Sequence, residues 1–220
     1  MTGYKLIMLK DLIEELGYDK AKSILSSFSC PLNADVESFL HDKAILFEEQ
    51  SYSTTYLVFA SFKNKWELAG YFSLAQKQFS ISDRSVNIRN YRGKTTGSSK
   101  RLIKKIRSFG TYDEEFKIHT ISAPLIGQLG RNFASGDGKV KLVTGDELLK
   151  IACDKVWEVQ RYLSGRIVYL ECEDIPKLVD FYKDNGFVEF AKRSLDADER
   201  DTMSGEYLVQ MLKDLKPKSN

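Results

Sequence analysis

The chain has 220 residues, 42% hydrophobic and 29% charged, with a net charge of only +2. That length buries a sizeable core as one large domain or two small ones, and the near-neutral balance excludes a polycation. No run approaches the roughly 18 apolar residues of a membrane span, and the first ten residues hold too short an apolar run for a signal peptide. Three scattered cysteines, Cys30, Cys153 and Cys172, form no CxxC pair. They point to a reducing, cytoplasmic interior. His41 and His119 lie far apart in sequence, so no metal site is expected.

Residues 4–9 read either as a first strand or as the start of a helix running through Leu12–Leu16, which Gly17 ends. Residues 18–27 form a short helix with Ala21, Ile24 and Leu25 on one side. After a turn at Phe28–Asn33, Asn33 caps a helix with Asp35 and Glu37 in its first turn, where negative charge is favourable. Val36, Leu40, Ala44 and Phe47 give that helix one continuous apolar face. Thr54–Phe59 and Trp66–Leu74, separated by the polar Lys63-Asn64-Lys65, pair as an antiparallel hairpin.

A basic segment, taken as an insertion over about residues 80–115, then interrupts the pattern. Arg84, Arg89, Arg92, Lys94, Lys100, Arg101, Lys104, Lys105 and Arg107 fall between Arg84 and Gly110 with no acidic residue among them. A basic helix is expected near 99–108, with Leu102, Ile103 and Ile106 as a narrow apolar stripe. Two readings stay open: a solvated helix packed by that stripe, or a phosphate-binding patch for a tRNA or another acidic partner. The stripe also leaves an oligomeric contact open.

The stretch from Ala123 to Phe187 reads strand, loop, helix, strand, helix, turn. The first strand ends in Leu125-Ile126-Gly127-Gln128-Leu129-Gly130-Arg131. Thr144-Gly145-Asp146-Glu147 is a capping box that opens a helix, along which Leu148, Ala152, Val156, Val159 and Leu163 recur at helical spacing. Gly145 lets a ligand approach the backbone, and Lys139 and Lys141 bring positive charge to the helix start, so the place suits an anion. Ile167–Leu170 is a second strand. Asp174 is expected to cap the next helix, Pro176 to occupy its first turn and Gly186 its left-handed end. Tyr182, one turn earlier, reads as a core aromatic or as a general acid for a departing thiolate. Val188–Ala191 and Glu206–Leu212 are the last strands, and residues 216–220 a fraying tail.

The order Leu125–Arg131, loop, Gly145-Asp146-Glu147-Leu148-Leu149, then Phe181-Tyr182 and Gly186-Phe187 resembles the GNAT family of acyl-CoA N-acyltransferases. Phe28-Ser29-Cys30, Phe39-Leu40, Thr55–Val58 and Gly70–Leu74 are similar to its toxin-like bacterial branch. The resemblance implies an α+β fold over residues 1–215: a mixed, mostly antiparallel central sheet, split between the fourth and fifth strands and flanked by helices. It implies acetyl-CoA as co-substrate. Leu129, Gly130 and Arg131 would hold the pantetheine, and Lys141, Leu142, Val143, Thr144, Gly145 and Asp146 the pyrophosphate. A primary amine would attack the thioester directly, and Tyr182 would protonate the leaving thiolate. The sequence does not name the amine; the toxin-like half and the basic segment point to that of an aminoacyl-tRNA, and the basic segment leaves a protein acceptor open. Glu171 and Glu173 are candidates for a base. The loop departs from the family in keeping only Gly145, with Val143 at a glycine position, Gly136-Asp137-Gly138 inserted, and Ile175 where an asparagine is frequent. Those departures motivate an alternative, a GNAT-like module that binds a nucleic acid or a protein without catalysis.

Overall fold

A computed structural model describes residues 3–82, 104, 107–197, 200 and 205–215. Of the nine basic residues of the basic segment only Lys104 and Arg107 are among the described residues, and the tail lies outside them. The described strands are β1 (Tyr4–Met8), β2 (Thr54–Phe62), β3 (Lys65–Ser82), β4 (Thr111–Asp113), β5 (Ile118–Arg131), β6 (Ile167–Glu173), β7 (Val188–Ser194) and β8 (Tyr207–Asp214). They follow the order β1-β2-β3-β5-β6-β8-β7, with β4 paired to β5. The pairs β1/β2, β2/β3, β4/β5, β6/β8 and β7/β8 are antiparallel. The fold is thus the mixed α+β class read from the sequence. No helix among the described residues is long and apolar enough to cross a membrane.

The chain forms two compact units, residues 1–75 with 126–155, and residues 76–125 with 156–220. The first unit carries α1 (Leu9–Leu16), α2 (Tyr18–Leu25), α3 (Ala34–Ser38) and α4 (Ala44–Glu49). Both readings of residues 4–16 are realised in succession, strand then helix, and Gly17 parts α1 from α2 at φ +83°. Asn33 caps α3 as expected, its side chain accepting the Val36 N–H at 3.0 Å. The expected single helix over 34–49 instead contains a π-helical turn at Phe39–Lys43. Leu40 within that turn and Ala44 just after it are both fully buried. Leu9, Leu25, Leu40 and Leu57 anchor this unit's core, each contributing about 1.5–3 kcal/mol by burial. The β2–β3 hairpin turns through Lys63 and Asn64, both at positive φ, which matches the twist of the flanking strands.

The second unit buries Phe79, Ile81, Ile121, Tyr169, Phe190 and Leu212 in its own core. Arg166 binds Asp214 through two guanidinium nitrogens, tying the start of β6 to the end of β8. Helix α5 (Gly145–Leu163) departs from its expected stripe at the far end. Leu148, Ala152 and Val156 are buried, but Val159 and Leu163 are exposed. Helix α6 (Pro176–Asp184) starts at Pro176 without a side-chain cap. Asp174 is displaced from that role by Lys192, whose ammonium it binds at 2.5 Å. The helix ends as read: Gly186 sits at φ +84°, and the Phe187 N–H reaches the Tyr182 carbonyl at 3.0 Å.

Candidate active site

The end of β5 and the start of α5 converge on Gly70 of β3. A side chain at Gly70 would lie 2.9 Å from the Gly130 carbonyl oxygen and 3.2 Å from both Arg131 Cα and Leu148 Cδ2. Only a glycine lets the three segments approach so closely. Gly130 is itself covered from the helical side, where an added Cβ would overlap Val36 Cγ1 and meet the Phe28 ring at 3.0 Å. Val36 is held there by the buried Tyr71 hydroxyl, which donates to its carbonyl. Burial, with smaller effects from Asp35 and Cys30, raises the Tyr71 pKa, so the phenol remains a donor.

Asn132, immediately after β5, is the knot of the connecting loop. Its Oδ1 accepts the Ser29 N–H at 3.0 Å and the Ala134 N–H at 2.9 Å. Its Nδ2 donates to the Leu68 carbonyl at 2.9 Å and the Ser27 carbonyl at 3.3 Å. The inserted Gly136–Gly138 is a 3₁₀ turn fastened to the hairpin: Glu67 accepts the Gly136 N–H at 2.8 Å, and Lys63 binds Asp137 at 2.5 Å. Gly136, Asp137 and Gly138 all have positive φ, which accounts for the two glycines. An open cavity of about 520 Å³ lies on this unit, bounded by Ser23, Ile24, Phe59, Trp66, Leu68 and Ala134 among others.

The capping box at α5 is reciprocal. The Thr144 N–H donates to Glu147 at 2.8 Å, and the Glu147 N–H donates to Thr144 Oγ1 at 3.2 Å. The Thr144 N–H and the Thr144 hydroxyl, both donating to the Glu147 carboxylate, lower its pKa. Gly145 and Asp146 begin the helix, where backbone N–H groups have no intrahelical acceptor. Leu129 and Arg131 are half-buried and Gly130 is buried. The Arg131 guanidinium stacks on the Phe133 ring at 3.7 Å. Lys139 and Lys141 are exposed, Leu142 half-buried, Thr144 and Asp146 exposed. Val143 is buried. Arg131, Lys139 and Lys141 are three cations close in sequence to a helix N-terminus, a donor set suited to phosphate.

Tyr182 belongs to the second unit. It is 8% exposed and edge-on to Phe181 and Phe187, at 5.0 and 5.9 Å between centroids. Burial, with a lesser effect from Cys172, raises its pKa above the ordinary phenol value, so it stays protonated at neutral pH. Of the two candidate bases, Glu171 has both oxygens engaged, one by Arg193 Nε and one by Gln210 Nε2, each at 2.7 Å. Glu173 is buried. The sequence reading passes over Glu67 and Asn132, takes Gly70 only as part of the family resemblance, and takes Asp35 only as a first-turn acid, whereas Asp35 is buried and accepts from Gln128 Nε2 at 2.8 Å. Asn132 carried a legible signal, an Asx residue between a strand end and a glycine-dotted loop.

No protein-family model and no curated protein matches the chain in sequence. Solved structures match it in fold. AtaT complexed with acetyl-methionyl-tRNAfMet aligns with a TM-score of 0.55 at 16% identity, covering 94% of this chain and 94% of that one. AtaTR bound with acetyl-CoA aligns at 0.53 and 16%, covering 94% and 92%. The chain has the GNAT fold. A tyrosine-to-phenylalanine mutant of KacT shares that fold at a TM-score of 0.55 and 14% identity, covering 96% and 94%. Within the GNAT fold the strand ending at Arg131 is the fourth long strand and β6 the fifth.

Proposed function

We propose that residues 1–215 form an N-acetyltransferase that moves the acetyl group of acetyl-CoA to a primary amine, the amine being that of an aminoacyl-tRNA. The observation that carries the reading is the convergence of the β5 end and the α5 start on Gly70, with Arg131, Lys139 and Lys141 preceding the capped helix in sequence. The assignment of the tRNA rests on the GNAT-fold neighbours, one of which is a complex with acetyl-methionyl-tRNAfMet, and on the basic segment.

Leu129–Arg131 hold the pantetheine arm through backbone groups, and Lys141–Asp146 take the pyrophosphate through N–H groups, the helix dipole and the ammonium of Lys141. The amine nitrogen forms a bond to the thioester carbon, and the C–S bond breaks. The thiolate leaves with the electron pair and takes a proton from Tyr182, whose phenol is protonated at neutral pH. Calorimetry with acetyl-CoA, followed by a CoA-release assay with aminoacylated tRNA, tests the reading. Heat of binding and tRNA-dependent release are expected, with tRNA affinity falling steeply as salt rises. No heat with acetyl-CoA would remove its basis.

A further inference from the structure

The direct attack described above needs an amine held on the pantetheine strand, and of the two candidate bases Glu171 already has both carboxylate oxygens engaged, by Arg193 and Gln210. The first unit contains a different pair. Gln128 lies on β5 next to Leu129 and on the same strand face as Gly130, since alternate residues share a face. It is half-buried, and its Nε2 donates to Oδ2 of Asp35 at 2.8 Å. Asp35 is 7% exposed. A carboxylate accepts only, so the amide must present nitrogen to it and turn Oε1 away. The position of Asp35 is fixed in turn by three contacts of α3: the Asn33 cap, the Tyr71 hydroxyl on the Val36 carbonyl, and the packing of Val36 on Gly130.

We propose that Gln128 receives the acceptor amine through its Oε1, and that Asp35 is the positioning residue that orients it. The inference rests on the acetyltransferase reading and names a residue for its acceptor side. In the reaction R–NH₃⁺ loses one proton to water, its lone pair forms the N–C bond as the C–S bond breaks, and positive charge develops on nitrogen until a second proton passes to water. An amide oxygen whose dipole is fixed by a buried carboxylate stabilises that charge without taking the proton. The ligand chemistry it selects is a primary amine with an N–H to donate. A hydroxyl nucleophile, which loses its one proton in the reaction, keeps none to donate and gains less.

The test compares wild type with Gln128→Met, which keeps length and removes the dipole, and Asp35→Asn, which keeps shape and lets the amide turn over. Release of CoA is followed with methionyl-tRNA as acceptor, and acetyl-CoA affinity is measured by calorimetry. Each variant should raise the acceptor KM or lower kcat/KM by roughly tenfold or more, the loss of a hydrogen bond to a charged group. Acetyl-CoA affinity should change by less than about twofold, and the double variant should be no worse than the worse single one, because the two residues act as a unit. If Asp35→Asn fails to fold, the Gln128→Met result alone decides. Wild-type turnover with an unchanged Gln128→Met enzyme would overturn the role of Gln128 while leaving the activity standing. Absence of turnover in wild type, despite acetyl-CoA binding, would overturn both.

Discussion

At the scale of single residues, Tyr182 and Gly130 separate chemistry from packing. The Tyr182 ring is packed edge-on between Phe181 and Phe187, and a phenylalanine fills the same space. Tyr182→Phe should therefore keep the melting temperature within a degree or two while lowering turnover by about 10²–10⁴, the usual weight of a general acid. Single-turnover CoA release beside a thermal melt measures both. An unchanged rate would leave Tyr182 as a core aromatic. Gly130 behaves in the opposite way. Gly130→Ala puts a methyl group into Val36 and against the Phe28 ring, and Val36 cannot retreat without breaking the bond from Tyr71. Overpacking of this kind costs about 1–3 kcal/mol, read as a shift of the urea midpoint with no change in slope. The same substitution should weaken acetyl-CoA binding, because it displaces the backbone of the strand end.

Among elements, the connection from β5 to α5 shows what pattern reading reaches and where it stops. The capping box at Thr144 and Glu147 is local, so four consecutive letters sufficed to place the helix start. The Gly186 terminus of α6 was legible for the same reason. The partners of Asn132 were not, because Ser29, Leu68 and Ser27 lie 103, 64 and 105 residues away in sequence and only the folded chain assembles them. The Asp174 cap failed through another long-range effect, the Lys192 ammonium on a neighbouring strand. The exposed end of α5 shows a third limit: helical periodicity gives a face, but not the length over which a partner covers it. Asn132→Ala removes four hydrogen bonds at a position 5% exposed and strands two carbonyls and two N–H groups. A loss of roughly 3 kcal/mol or more is expected, measured by chemical denaturation. Asn132→Asp is the discriminating variant: it keeps the bonds to the Ser29 and Ala134 N–H groups and turns a carboxylate oxygen toward the Leu68 and Ser27 carbonyls, so it should be nearly as harmful as alanine. A mild Asp variant would show that the two accepted bonds alone secure the loop.

For the whole molecule, the buried acids determine how stability responds to alkali. Burial first, then Glu189, Asp174 and Glu173, push the Cys172 thiol from 9.0 up to about 12, with Lys183 opposing. Burial likewise raises Tyr169 and Tyr182 in the second unit and Tyr71 and Cys30 in the first. In every case the folded pKa exceeds the unfolded one. Between pH 6 and 8 both states hold these protons, and the groups give stability no slope. Above about pH 9 the unfolded chain releases the Cys172 proton while the folded chain keeps it, so the folded state binds more protons and stability falls as pH rises. At pH 10.5 the Cys172 contribution alone amounts to a loss of about 2 kcal/mol, at 1.36 kcal/mol per unit of separation. The tyrosines add to it above pH 10. Urea unfolding at pH 7.5, 9 and 10.5 should show a plateau followed by a decline. Cys172→Ala should start lower, having lost a buried side chain, yet decline less between pH 9 and 10.5. A decline of equal steepness in the variant would assign the alkaline transition to the tyrosines rather than to the thiol.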